Sequence, residues 1–192
     1  MKRDAWMAWA LIAALVAAPC ARGQTMTGDV ARVTALFAAK DWKGVVAGAD
    51  KVYAEHGVEA IEAALPTRAL YHHKAWGMFF DGDREGAVAF LKARADDAGS
   101  PSRLGACYEL ARMSGNSGDA AEAHQYAVMF LGLWDGIGWQ TQSVCAFGYV
   151  KPALLGKDAY AALLESLILK IPAVESNVQF LGRLKSEREK IR

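Results

Sequence analysis

The chain has 192 residues, 53% of them hydrophobic, with 22 Lys and Arg against 21 Asp and Glu. That apolar content excludes intrinsic disorder, and the length suffices for a core that needs no metal or disulfide staples. A formal charge of +1 excludes binding of nucleic acid through bulk electrostatics.

Residues 1–23 read as an address. Lys2 and Arg3 give a positive start, and an uncharged run from Ala5 to Ala21 follows, most apolar from Leu11 to Val16. The run is short for a spanning helix and ends in small residues, with Ala21 and Gly23 at −3 and −1 of a cut before Gln24. A secretory signal peptide over 1–23 is therefore expected, with a single helical domain over 24–192. An uncleaved anchor fits less well. A lipid anchor at Cys20 fits poorly too, because Ala17 and Pro19 stand where a lipobox wants a branched aliphatic and a small residue. Cleavage removes Lys2, Arg3, Arg22 and Asp4 and leaves a charge of −1. No later stretch is long and apolar enough to span a membrane, so no transmembrane helix is expected after cleavage.

Helical periodicity then dominates, and strand alternation is nearly absent. Thr27-Gly28-Asp29 offers an N-cap, with Val30, Val33 and Phe37 at i, i+3 and i+7. After Lys40-Asp41, Val45, Ala49, Val52 and Tyr53 share a face until Gly57. A short apolar segment, Val58 to Leu65, precedes Pro66. Thr67 opens a helix carrying Tyr71, Ala75, Met78 and Phe79, and Asp81-Gly82-Asp83 breaks it. Ala87, Val88, Leu91 and Ala95 mark the next helix.

Ser100-Pro101-Ser102 begins another, with Leu104, Cys107, Tyr108 and Ala111 on its apolar side. After a polar turn at Gly115 to Asp119 come Ala123, Ala127, Phe130 and Leu131, then a loop rich in Gly and Trp from Gly132 to Gly138. Trp139 to Val150 is the next helical stretch, ended by Pro152 and Gly156. Tyr160, Leu163, Leu164, Leu167, Ile168 and Ile171 form the cleanest stripe of all. Pro172 stops it, and Ser176 to Ile191 is a last helix with Phe180, Leu181 and Leu184 inward. The reading is all-α.

Helix-to-helix turns fall at Lys40-Asp41, Gly82-Asp83, Gly118-Asp119 and Lys157-Asp158, their Asp residues 42, 36 and 39 apart. Such periods suggest a solenoid of helix pairs. Four residues past each Asp stands Val45, Ala87, Ala123 or Ala162. Here the sequence resembles the tetratricopeptide repeat family over roughly residues 29–132. The second unit matches best, with Tyr71, Ala75 and Met78 at the Trp, Gly and Tyr places, the Gly82-Asp83 turn, then Ala87 and Leu91. The third keeps Ala111, Gly118-Asp119, Ala123 and Phe130, the first keeps Val33, Leu36, Asp41, Val45 and Ala49 only as a pattern, and the fourth drifts out of register after Asp158. The resemblance implies an α-solenoid of about four helix-turn-helix repeats with a C-terminal capping helix.

It also implies a concave groove lined by the first helix of each pair. Carried over by position, the groove residues are His72, Trp76 and Phe79 from the second unit and Tyr108 and Arg112 from the third. Aromatic residues and Arg supply most interface energy, but Phe79 and Tyr108 also lie on apolar stripes and fit a core equally well. In the loop, Trp134, Ile137 and Trp139 either tuck in as a satellite core or form an exposed apolar contact for a partner or a membrane surface.

Cys107 and Cys145 occupy nearly equivalent places on successive first helices and are a candidate disulfide in an oxidising compartment. Helix axes about 8–10 Å apart allow that only for inward-facing positions, and two separate buried thiols are the competing reading. His72-His73 is the one histidine cluster, and its rings point about 100° apart, so no metal site is expected. No GxSxG, HExxH or phosphate-cradling glycine spacing occurs, so neither catalysis nor a cofactor is expected. The expected function is an exported scaffold or adaptor that binds protein or peptide, in the periplasm or envelope of a Gram-negative bacterium. The competing classes are a structural subunit of an envelope complex and an enzyme built from unrecognised loop residues.

Overall fold

The computed structural model describes residues 26–64, 70–172, 174 and 177–191. The expected signal peptide, Cys20 and the helix start at Thr67 lie outside them. The described residues form helices and no strand: α1 (residues 26–38), α2 (Trp42–His56), α3 (Val58–Ala64), α4 (Leu70–Asp81), α5 (Arg84–Asp96), α6 (Arg103–Asn116), α7 (Ala120–Leu133), α8 (Gln140–Tyr149), α9 (Pro152–Leu155), α10 (Lys157–Lys170) and α11 (Val178–Ile191). The chain divides after Ala87 into two compact units.

In the first unit the core gathers Val33 of α1, Val45, Ala49 and Val52 of α2, Ile61 of α3 and Leu70 of α4. The i, i+4, i+7 spacing on α2 puts its three residues on one stripe, and burying each of its two valines is worth about 1.5–3 kcal/mol, the Ala49 methyl less. Gly77 lets α4 pass close to α2, since a Cβ there would stand 2.8 Å from Val45 Cγ1. Gly57 ends α2 at φ 81°, and its N–H donates to the Tyr53 carbonyl at 2.9 Å. The segment read as Val58 to Leu65 is itself helical through Ala64. Residues 27–29 are already inside α1, so the expected N-cap there is corrected: the helix is running by Met26.

In the second unit α6 is the central helix, buried from Gly105 to Ala111 and at Met113 and Ser114. It packs on α7 and α8, and α8 approaches closely because Gly115 faces the Tyr149 ring, 2.4 Å from where a Cβ would be. Glu122 ties three helices: its carboxylate meets Lys92 Nζ of α5 at 2.6 Å and accepts from Ser114 Oγ of α6 at 2.6 Å. Those two hydrogen bonds hold its carboxyl below the ordinary range. Farther along, α10 packs on α11 through Tyr160, Leu164 and Leu167 against Phe180, Leu181 and Leu184. Phe147 of α8 joins them, 6.4 Å from Tyr160 and 5.8 Å from Phe180 between ring centroids.

One turn recurs three times with the same hydrogen bonds. Lys40, Gly82 and Gly118 have φ of 59°, 102° and 83°, the left-handed conformation that closes a helix. The N–H of each next residue reaches back five places, Asp41 to Leu36 O, Asp83 to Met78 O and Asp119 to Ser114 O, at 3.0, 2.9 and 2.9 Å. Each of these Asp side chains then caps the following helix, accepting from Gly44, Gly86 or Glu122 N–H at 3.0, 2.9 and 2.9 Å. Val45, Ala87 and Ala123, four residues past the caps, are all buried. The expected fourth turn is corrected. Asp158 lies within the first turn of α10, Gly156 is the cap without a side-chain bond, and Ala162 is exposed.

Candidate functional site

Aromatic rings concentrate on one edge of the first unit, where α4 meets α1 and the start of α2. Phe37 stacks on His73 at 4.6 Å and lies 5.5 Å from Trp42. Trp42 is 4.9 Å from Phe80, and Trp76 is 5.3 Å from both Phe79 and Phe80. The 3.6-residue period explains the gathering, because 72, 76, 79 and 80 fall on one side of α4. Trp76 is 3% and Phe79 8% exposed, so these two expected groove residues are core. His72 is half-buried, 5.8 Å from Phe37, and His73 Nε2 is 3.1 Å from Thr34 Oγ1. The ring actually presented to solvent is Phe80, half exposed. The sequence signal for it was the i+4 step from Trp76.

The second unit carries Tyr108 and Arg112 one turn apart on α6. Tyr108 is buried, and burial foremost pushes its hydroxyl up to about 12. The half-exposed Arg112 lays its guanidinium 5.5 Å from the Tyr108 ring centroid and holds Glu109 Oε2 at 3.1 Å. The Glu109 side chain is only 6% exposed. Arg112 therefore has a structural duty, since removing one partner of a buried ion pair strands the other charge.

Tyr108 also explains the cysteines. Its side chain lies beside Cys145 of α8, whose proximity adds to the rise of its hydroxyl. Cys107, one residue back, points about 100° away around the helix. Both cysteines are free thiols, Cys107 buried and Cys145 exposed, and burial pushes the Cys107 thiol up to about 11.

The glycine-tryptophan loop splits the two readings. Trp134 is wholly buried, and its indole N–H is shared by the Ile137 and Gly138 carbonyls at 3.2 and 2.9 Å. Ile137 is 77% exposed. Trp139 is half-buried at the N-cap of α8 with φ 53°, and its ring lies 6.1 Å from Tyr108 and 5.9 Å from Phe130. Gly136 touches α10 so closely that a Cβ would come within 2.1 Å of the Lys170 carbonyl.

A cluster that local spacing did not reveal joins α1 to the end of α2. Asp29, Glu55 and His56 each bring a ligand atom within 4.8 Å of the others. His56 Nε2 stands 3.3 Å from Asp29 Oδ2, Arg32 pairs with Asp29 at 3.1 Å, and Lys51 pairs with Glu55 at 3.8 Å. A cation held here would compete with those two basic side chains for the carboxylates. Asp29 and His56 are 27 residues apart, beyond the reach of any motif.

Among the described residues no helix is long and apolar enough to cross a membrane. No family model matches the chain, and no match was found among curated proteins or solved structures.

Proposed function

We propose that the chain is a tetratricopeptide-like helical-repeat protein, exported to the periplasm or envelope, that binds a protein or peptide partner and has no catalytic role. The observation that supports it is the thrice-repeated turn, in which a left-handed residue, a capping Asp and a buried small residue recur at the periods of a helical repeat. The first unit adds a half-exposed aromatic edge around Phe80, and aromatic side chains at a surface are the usual anchors of partner binding. A second reading, a structural subunit docked through the loop, is favoured by the 77% exposure of Ile137.

The test is a cross-linked pull-down from the native envelope fraction, repeated with three variants. Phe80→Ala removes the exposed ring. Arg112→Lys keeps the charge beside Glu109 but not the planar fork. Ile137→Asp marks the loop. A defined partner lost with Phe80→Ala or Arg112→Lys supports recognition by the first helices. A partner lost only with Ile137→Asp supports the docked subunit, and no partner in any arm sinks both readings.

A further inference from the structure

The outer side of the α10–α11 pair is not the polar surface that a helix pair facing only water presents. It carries a groove of about 390 Å³ lined by Glu165, Ile168, Leu169, Lys185, Arg188 and Glu189. Leu169 is 86% exposed, the most exposed large hydrophobic residue among those described. Arg188 bonds Glu165 across the groove. Lys185 and Glu189 stand one turn apart on α11, at the spacing of a helical ion pair, yet no ion pair engages either among the described residues.

We propose that this face is where two copies of the chain meet about a two-fold axis. In such an interface one patch must complement itself, because each residue meets the same surface on the other copy. Two acids and two bases surround two apolar residues, so the patch has no net charge and both signs needed for pairing. An acidic or basic partner, or an anionic membrane, would select a face of one sign. When two α11 helices cross antiparallel about an axis at Glu187, Lys185 of one copy lies opposite Glu189 of the other. Leu169 of each copy then fills the groove of its mate.

The mass of the exported chain is measured by sedimentation velocity from about 1 to 200 µM, a range covering weak and moderate dimers. The expected result is a shift from one to two copies with rising concentration. Leu169→Glu stays at one copy throughout with an unchanged helical circular-dichroism spectrum. Lys185→Glu and Glu189→Lys each weaken association about tenfold, since each sets like charges opposite one another at two symmetric places. The double exchange returns it to near the parent value. A parent chain of one copy at every concentration overturns the proposal. So does a dimer indifferent to Leu169→Glu, or a double exchange no better than the single ones.

Discussion

Trp134 and Ile137 lie three residues apart in one glycine-rich loop, and their environments are opposite. The Trp134 side chain is wholly buried and its N–H satisfies two loop carbonyls, while Ile137 is 77% exposed. Trp134→Ala is expected to cost about 3–5 kcal/mol, the range for emptying a core aromatic site. Ile137→Ala is expected to stay within about 0.5 kcal/mol of the parent. Urea unfolding of both variants checks this, and equal costs would contradict the assignment. His124 gives a pH dependence at the same scale. Its Nδ1 accepts the Lys151 backbone N–H at 3.1 Å, which requires that nitrogen unprotonated. Burial first, and the Lys151 charge second, hold its pKa below the ordinary 6.5. The unfolded chain therefore takes up the proton more readily than the folded one. The contribution of the neutral ring is complete above the unfolded value. It shrinks as pH falls through 6.5 and is gone below the folded value. Unfolding midpoints at about pH 7.5 and 5.5 should fall for the parent and fall less for His124→Gln, whose side chain does not titrate. Equal falls would remove His124 as the source.

The helices were legible because long amphipathic stripes repeat the 3.6 period several times. Val45, Ala49 and Val52 on α2, and Tyr160, Leu164 and Leu167 on α10, are buried as their spacing requires. Short elements offer too few repeats of the period. The seven residues of α3 cover less than two turns, so the segment after Gly57 read only as an apolar insertion. The candidate site was less legible because exposure depends on what a neighbouring helix covers. Spacing put Trp76, Phe79 and Phe80 on one side of α4, but not which ring α1 and α2 leave open. The turns supply the prediction at this scale. Asp83→Ala and Asp119→Ala each remove a side-chain cap and should cost about 1 kcal/mol. Asp158→Ala removes no cap and loses only the favourable interaction of a first-turn acid with the helix dipole, roughly half as much or less. Denaturation of the three single variants distinguishes them. A loss at Asp158 equal to the others would restore the fourth turn as a member of the set.

At the scale of the whole molecule, the compartment and the state of the cysteines can be read in one titration. The chain has three cysteines. Export with cleavage before Gln24 would discard Cys20 and leave Cys107 and Cys145 in different surroundings. Cys145 is exposed, so a thiol reagent should modify it promptly in the folded protein. Cys107 is out of contact with solvent, and burial pushes its thiol up to about 11, so near pH 8 it is both shielded and protonated. The reagent should therefore find one reactive thiol in the folded protein and two after unfolding in denaturant, with the mass of a chain beginning at Gln24. A third thiol on unfolding would mean that Cys20 stayed and that export did not remove residues 1–23. No thiol in either state would mean that Cys107 and Cys145 are bridged. Such a bridge would require α6 to turn about its axis by the 100° that separates Cys107 from Tyr108, which would draw Tyr108 away from Cys145 and carry the buried Glu109 out of its present surroundings.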